Sequence, residues 1–371
     1  RQRYTTFMNG TLMLNGNQAR SYTSAGGWIG TGGMFDLDGI PTGAQFPIEF
    51  KDRVYAAVTD RVYYTTAASV SAASVLWGAT GSGSIQIERE DGGGTIQALN
   101  KVPGYLMVYK QRSLKRWNFD STFPEDLVSI GTQSNESVVR ARGMNFFFYG
   151  PNGFYKTNGG YPSLISRPIQ RFIDGIASSF YSSVSGWSDN NDIYWSVGTV
   201  TVNFDRGYTE TYTKVVLRYN IDSQTWAPLQ YAHLFRGMTQ YISGTDVLIV
   251  GGDSDGQVLQ LNTGNSDYGG VAIKYLLQSP EFDFKFRDRK KTISEKVIVH
   301  SDGTKGAELQ RRLDYGEWKS IGSVLDIVTE VQIAPLTALI FEFRVVDSIT
   351  GEQVKLRGLD FPNVDIHDSA K

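Results

Sequence analysis

The residues able to do chemistry are few and scattered. Cysteine is absent, which excludes disulfides and thiolate chemistry. His233, His300 and His367 are the only histidines, and they lie far apart at no spacing that builds a zinc site. Each reads as a core or surface side chain, not a catalytic one. No Gly-x-Ser-x-Gly elbow occurs, and "GSGSIQ" from Gly81 reads as a loop. The stretch "GGDSDGQV" (251–258) shares Asp253, Asp255 and Gly256 with the start of a calcium loop. One acidic pair and the distant Glu are missing, so a hairpin turn is expected there. "NIDSQTW" (220–226) approaches the Asp-box of sialidase-type proteins but lacks its Gly and is one residue short. No catalytic residue, cofactor or metal ligand is therefore expected.

Two basic clusters remain. "YKQRSLKRW" carries Lys110, Arg112, Lys115 and Arg116 between Tyr109 and Trp117, and "KFRDRKK" carries Lys285, Arg287, Arg289, Lys290 and Lys291. Cations interleaved with aromatics can contact phosphates and bases. Strand alternation would put Arg112 and Arg116 on one side, which is also the outward face of an ordinary hairpin. A solvated face or protein interface is the first expectation, and nucleic-acid contact the second. The formal net charge of −2 gives no global attraction to nucleic acid or an acidic membrane. No apolar run approaches the roughly 18 residues that span a bilayer, so membrane insertion is not expected. The first residues, "RQRY", lack Met and an apolar signal core, so the N-terminus reads as trimmed or processed.

The elements that would position these residues are hairpins. "NFFFYGPNGFYKTNGG" (145–160) sets two aromatic runs around Asn152-Gly153, which suits a tight turn. Alternation puts Phe146, Phe148 and Phe154 on one face and Phe147, Tyr149 and Tyr155 on the other, with a bulge allowed at the turn. Similar turns fall at Asn15-Gly16 and near Asp60, Gln111, Ser223 and Asp255. Most steps between them are about 40–50 residues, the repeat of a four-stranded propeller blade. The long step before Ser223 contains "GTVTVNFDRGYTETYTK" (198–214), which reads as a polar loop. The pattern predicts an all-β chain, with a β-propeller of five to seven blades over 1–280. One short helix is expected in "ISRPIQRFIDGIASS", with Ser166 as N-cap, Pro168 in the first turn and Gly175 as stop. Composition shifts near 280, and short alternating strands such as "KVIVHS" and "LIFEFRVVDS" predict a small antiparallel β-sandwich over 281–371.

The order of these elements resembles the tail hub or nozzle proteins of short-tailed phages. The residues that carry the likeness are Ile130, Gly131, Ser137, Val138, Gly153, Phe154, Tyr155, Gly159, Gly160, Ile165 and Ser166, followed by "GGDSDGQVLQLNTGNSDYGG", "SPEFDF" and "KKTISEKVIVHS". The resemblance covers about residues 50–300 and contains no catalytic signature. It implies a structural virion protein of the phage tail, not an enzyme. Such a protein forms a homo-oligomeric ring, expected to be a hexamer, that lines or closes the DNA ejection channel. Its implied partners are other tail proteins (adaptor, tail fibre or needle) and, transiently, phage DNA. On this reading Lys110, Arg112, Lys115, Arg116, Arg287 and Arg289 are the candidate interface or channel contacts. The alternative is a carbohydrate-binding or carbohydrate-cleaving propeller, such as a receptor-binding protein, with exposed Trp and Tyr stacking on sugars.

Overall fold

The computed structural model describes residues 3–7, 10–14, 19–23, 27–29, 40–67, 77–87, 92–119, 124–150, 152–203, 209–231, 233–243, 246–261, 275–279, 281–284, 289–301, 307–325, 328–347 and 356–367. The chain is all-β apart from short helical turns. Among the described residues six antiparallel meander sheets follow one another, with strands from 3 to 29, 45 to 86, 96 to 128, 139 to 164, 185 to 230 and 235 to 261. The first five have four described strands and the sixth has three.

The first five sheets pack face to face in succession, and period-two alternation explains how. In strand Arg53–Val58, Val54 and Ala56 join the core with Leu12 and Leu14 of the first sheet. Tyr55 and Ala57 join the core with Leu106 and Val108 of the third. In strand Tyr105–Lys110, Met107 and Tyr109 turn the other way and meet Phe147 and Tyr155 of the fourth sheet. A strand covered on both faces must be apolar at every position, so "RVYAAV", "YLMVYK" and "MNFFFY" read as unbroken runs.

The aromatic hairpin is the extreme case. Phe146, Phe147, Phe148 and Phe154 have no exposed surface, and both faces are buried, not one. Its register is continuous from Asn145–Thr157 to Tyr149–Gly153, without the bulge the sequence allowed for. Phe147 stacks on Tyr155 at 5.7 Å and meets Tyr109 edge-on at 5.1 Å. On the other face Phe154 lies 4.3 Å from the Trp195 ring, and Phe148 meets Tyr181 at 5.5 Å. Full burial of one such side chain stabilises by roughly 1.5–3 kcal/mol.

The turns near Asp60, Gln111, Asn152, Ser223 and Asp255 all join paired strands. The Asn15-Gly16 turn lies outside the described residues. One expectation is overturned. The supposed polar loop 198–214 is the heart of the longest hairpin, strands Asp192–Asn203 and Thr209–Asn220. Its Thr-Val alternation buries Val200 and Val202 and leaves Thr199 and Thr201 partly exposed, which is a strand pattern. The Ser223 turn therefore joins the third and fourth strands of its sheet, not the second and third. With the turn after Asn203 in its place, the repeats fall about 40–55 residues apart throughout.

The helix forms as a 3₁₀ turn, Arg167–Ile169, followed by α-helix Gln170–Asp174. Pro168 sits in the first turn as expected, but Ser166 makes no side-chain cap. Its hydroxyl is drawn instead to the backbone N–H of Phe154, at 3.0 Å.

The C-terminal sheets are interleaved. Strand Tyr275–Gln278 pairs with Phe341–Asp347, which pairs with Ala307–Leu313, which pairs with Lys319–Val324. Strand Lys291–Ile293 lies between Leu336–Ala338 and Val364–Ile366, and Lys296–Ser301 between Val328–Gln332 and Leu356–Asp360. All three sheets contribute to one apolar core that includes Val299, Leu309, Leu336, Phe341 and Phe343. Phe361 packs at 5.0 Å from both Phe282 and Phe343. The expected boundary at 280 thus falls just after the first strand of this region. The chain gathers into two compact units, one of 1–173, 178–195 and 219–225, the other of 174–177, 196–218 and 226–371. No described helix is long and apolar enough to cross a membrane.

Candidate functional site: sheet joints and a charged sheet face

The first basic cluster is dispersed by its own hairpin. Lys110 ends one strand with its side chain fully buried, and Lys115 is 2% exposed and pairs with Asp126 on the adjacent strand. Arg116 donates to both oxygens of Glu125 at 2.8 and 3.0 Å and to the Gly159 carbonyl at 2.8 Å. Its guanidinium lies 4.8 Å over the Tyr105 ring. Arg112, in the turn, is the exposed cation of the four. The expected pairing of Arg112 and Arg116 on one strand face is not realised, because Arg112 lies outside the strand Leu114–Trp117. In the second cluster Lys285 and Arg287 lie outside the described residues, and Arg289 is half-buried. Lys291 is buried, and its Nζ donates to the Leu339 carbonyl at 2.7 Å.

The histidines stay apart. His233 Nδ1 meets Asp253 Oδ2 at 2.9 Å, His300 Nε2 meets Asp360 Oδ2 at 2.8 Å, and His367 Nε2 meets the Thr292 hydroxyl at 2.6 Å. Among the described residues no three His, Asp or Glu side chains gather as metal ligands. In the calcium-like stretch, Asp253 Oδ1 accepts the backbone N–H groups of Asp255 and Gln257, at 2.9 and 2.8 Å. Burial pushes the Asp253 carboxyl up, but those two bonds and His233 outweigh it and hold the pKa below the ordinary value. This side chain organises a hairpin turn.

Three of the residues that carry the resemblance, Gly131, Ser137 and Gly159, lie where one sheet meets the next. A Cβ on Gly131 would lie 2.0 Å from the Lys110 carbonyl oxygen, so only glycine lets this loop approach the third sheet. Thr132 Oγ1 then donates to the Phe148 carbonyl of the fourth sheet, and Ser134 Oγ to the Val184 carbonyl. The Trp195 indole donates to the Ser137 carbonyl at 2.9 Å. Gly153 has φ +122, and a Cβ there would meet Ser166 Oγ at 2.1 Å. Gly159, at φ +107, packs on Val102 and Tyr105 of the preceding sheet.

One cluster was not foreseen from sequence. The sheet containing Ala307–Leu313 and Phe341–Asp347 buries Leu309, Phe341, Phe343 and Val345 on one face. Its other face is charged. Arg312, fully buried, donates to both oxygens of Glu342, its cross-strand partner, at 2.7 and 2.6 Å. Arg344 donates to Gln310 at 2.7 Å and to Glu210 at 2.8 Å. Both guanidiniums face the Trp318 ring, at 4.7 and 4.2 Å. Glu210 and Tyr212 come from the long hairpin. Burial, then the neighbouring Glu210 carboxylate, pushes the Tyr212 phenol well above its ordinary pKa. This face holds a layer of charges that water would otherwise solvate, and its Arg344 meets the Glu210 carboxylate of the long hairpin.

No family model matches the chain, and no curated protein does. Among solved structures it is similar to the N-terminal domain of Nup159, at 11% identity and a TM-score of 0.40, over 69% of this chain and 71% of that one. It is also similar to a D477G ACO/RPE65 chimera, at 9% identity and a TM-score of 0.40, over 70% of this chain and 68% of that one. Neither likeness is close enough to bear on what the chain binds or does.

Proposed function

We propose that this chain is a structural protein of a phage tail, in which the six meander sheets are the blades of a β-propeller and the C-terminal sheets form a β-sandwich. In this reading the chain is a subunit of a hexameric ring at the hub or nozzle. The ring lines or closes the DNA ejection channel and contacts adaptor, fibre or needle proteins and, transiently, DNA. One observation carries the reading. The residues that resemble the tail proteins include ones that join sheet to sheet, with Gly131 and Gly159 at close approaches that larger side chains would block. A scaffold needs such fixed joints, and its signature lies in them, not in a reactive constellation. Near-neutral charge suits a conduit through which DNA must slide. Negative-stain microscopy of the purified protein, alone and with its virion neighbours, is the test. Closed rings are expected, and a protein that stays monomeric under both conditions overturns the reading.

A second reading, a carbohydrate-binding surface, has its own support in Tyr161. That ring is 78% exposed on a loop fixed by Arg116 and by the Thr157 hydroxyl, which donates to the Gly160 carbonyl at 2.7 Å. Binding on a glycan array that Tyr161→Ala abolishes and Tyr161→Phe retains would favour it. No binding to any glycan would remove it.

A further inference from the structure

We infer that the charged face of the C-terminal sheet is the seat through which copies of this chain join, taking the Glu210–Tyr212 strand of a neighbouring copy. This rests on the ring reading above and names the surface that would build the ring.

The occupant is a strand of this same sequence, because the chain fills the seat with its own hairpin. Glu210 meets Arg344 at 2.8 Å, beside the Trp318 ring on which Arg312 and Arg344 stack. Two features make that occupancy exchangeable. First, the docking strand itself carries no fully buried residue. Along Thr209–Thr213 exposed and half-buried positions alternate, and the half-buried ones are Glu210 and Tyr212. Second, the occupancy within one chain is incomplete. Glu210 Oε2 and Trp318 Nε1 are both buried without a hydrogen-bond partner among the described residues. An acceptor and a donor left over at one contact are a cost that a better-aligned strand would remove.

The hairpin also has the joints such an exchange needs. Each strand contains one residue in the left-handed region, Gly198 at φ +82 and Lys214 at φ +56. These positions separate the docking segment from the buried stretch Val215–Leu217. A small change there redirects the outer hairpin, whose Val200 and Val202 are then buried again against the neighbouring copy. Exchange of an identical element between protomers is a low-cost route to assembly. A partly buried charge pair fixes its register.

The experiment is complementation between two charge reversals. Glu210→Arg leaves the seat intact and spoils the hairpin, whereas Arg344→Glu leaves the hairpin intact and spoils the seat. In an alternating ring of the two variants every contact between copies is again one positive with one negative group. Size-exclusion chromatography with light scattering should show each variant monomeric alone and an equimolar mixture assembling like the wild type, with circular dichroism unchanged. Variants that assemble alone, or a mixture that stays monomeric, overturn the seat while the wild-type ring still stands. A wild type that never assembles overturns the ring reading, and the seat with it. If a reversal fails to fold, Glu210→Cys and Arg344→Cys on separate copies replace it, since the chain has no other cysteine. A short bis-maleimide should then link two copies, and its failure to do so overturns the seat equally.

Discussion

From residue 45 to 164, the strands of each sheet pair in chain order, and the spaces between sheets are filled by rings and aliphatic side chains. Among the described strands from 275 to 366, one pairing, Ala307–Leu313 with Lys319–Val324, joins chain neighbours, and the rest reach across long separations. There the apolar core is backed by a second, ionic layer around Arg312. The first region gains its stability from shape and tolerates almost no added atoms. The second depends on completed charge pairs and tolerates change only when both partners change together.

The sharpest way to break that comparison is at Arg312. Glu342→Ala should destabilise the C-terminal region by about 3–5 kcal/mol, because it leaves a fully buried guanidinium without its carboxylate. Replacing both Arg312 and Glu342 with Leu should restore most of that loss, measured by urea denaturation. A double variant as unstable as the single one would mean that the ionic layer is not a self-contained pair. In the first region, Gly131→Ala should cost about 3 kcal/mol, since the new methyl must displace the Lys110 backbone. Differential scanning calorimetry reads this, and an unchanged Tm refutes the close approach.

Gly153→Val should cost about 2 kcal/mol, because a β-branched residue at φ +122 is strained and its Cβ collides with Ser166. Adding Ser166→Ala should relieve only the collision. The smallest effect belongs to the exposed pair in which Arg142 donates to Asp222 at 2.5 and 3.0 Å. The Arg142 hydrogen bond lowers the Asp222 pKa. A depressed folded-state pKa means that the pair's small stabilisation is present above the ordinary carboxylate range. It fades as pH falls through the lowered value. Carboxyl NMR titration should place Asp222 below its ordinary range and return it there in Arg142→Ala, with little change in Tm.

Much of the first region was legible because its signals are local. Asn152-Gly153, Asp60 and the unbroken apolar runs declare turns and doubly covered strands within a few residues. The long hairpin escaped notice because Thr201, Thr211 and Thr213 look polar, although alternating Thr and Val are sound strand formers. The cluster Lys110 to Arg116 looked like a cationic face because sequence does not reveal that Asp126, Glu125 and Gly159 lie beside it. The charged seat was beyond reach for a related reason. Glu210 and Arg344 are 134 residues apart, and nothing near either one announces the other.

The interleaving of the C-terminal strands sets a timetable for synthesis. Each early sheet can close as soon as its fourth strand leaves the ribosome, because every partner has already been made. Tyr275–Gln278 must wait for Phe341–Asp347, and Lys296–Ser301 for Leu356–Asp360. Non-local pairing of this kind is slow to form. For the time needed to translate about 60 residues the nascent chain carries unpaired strand edges, and for about 30 of them Arg312 lacks its Glu342. Premature termination in this stretch would release a product whose first half is sound and whose second half is adhesive.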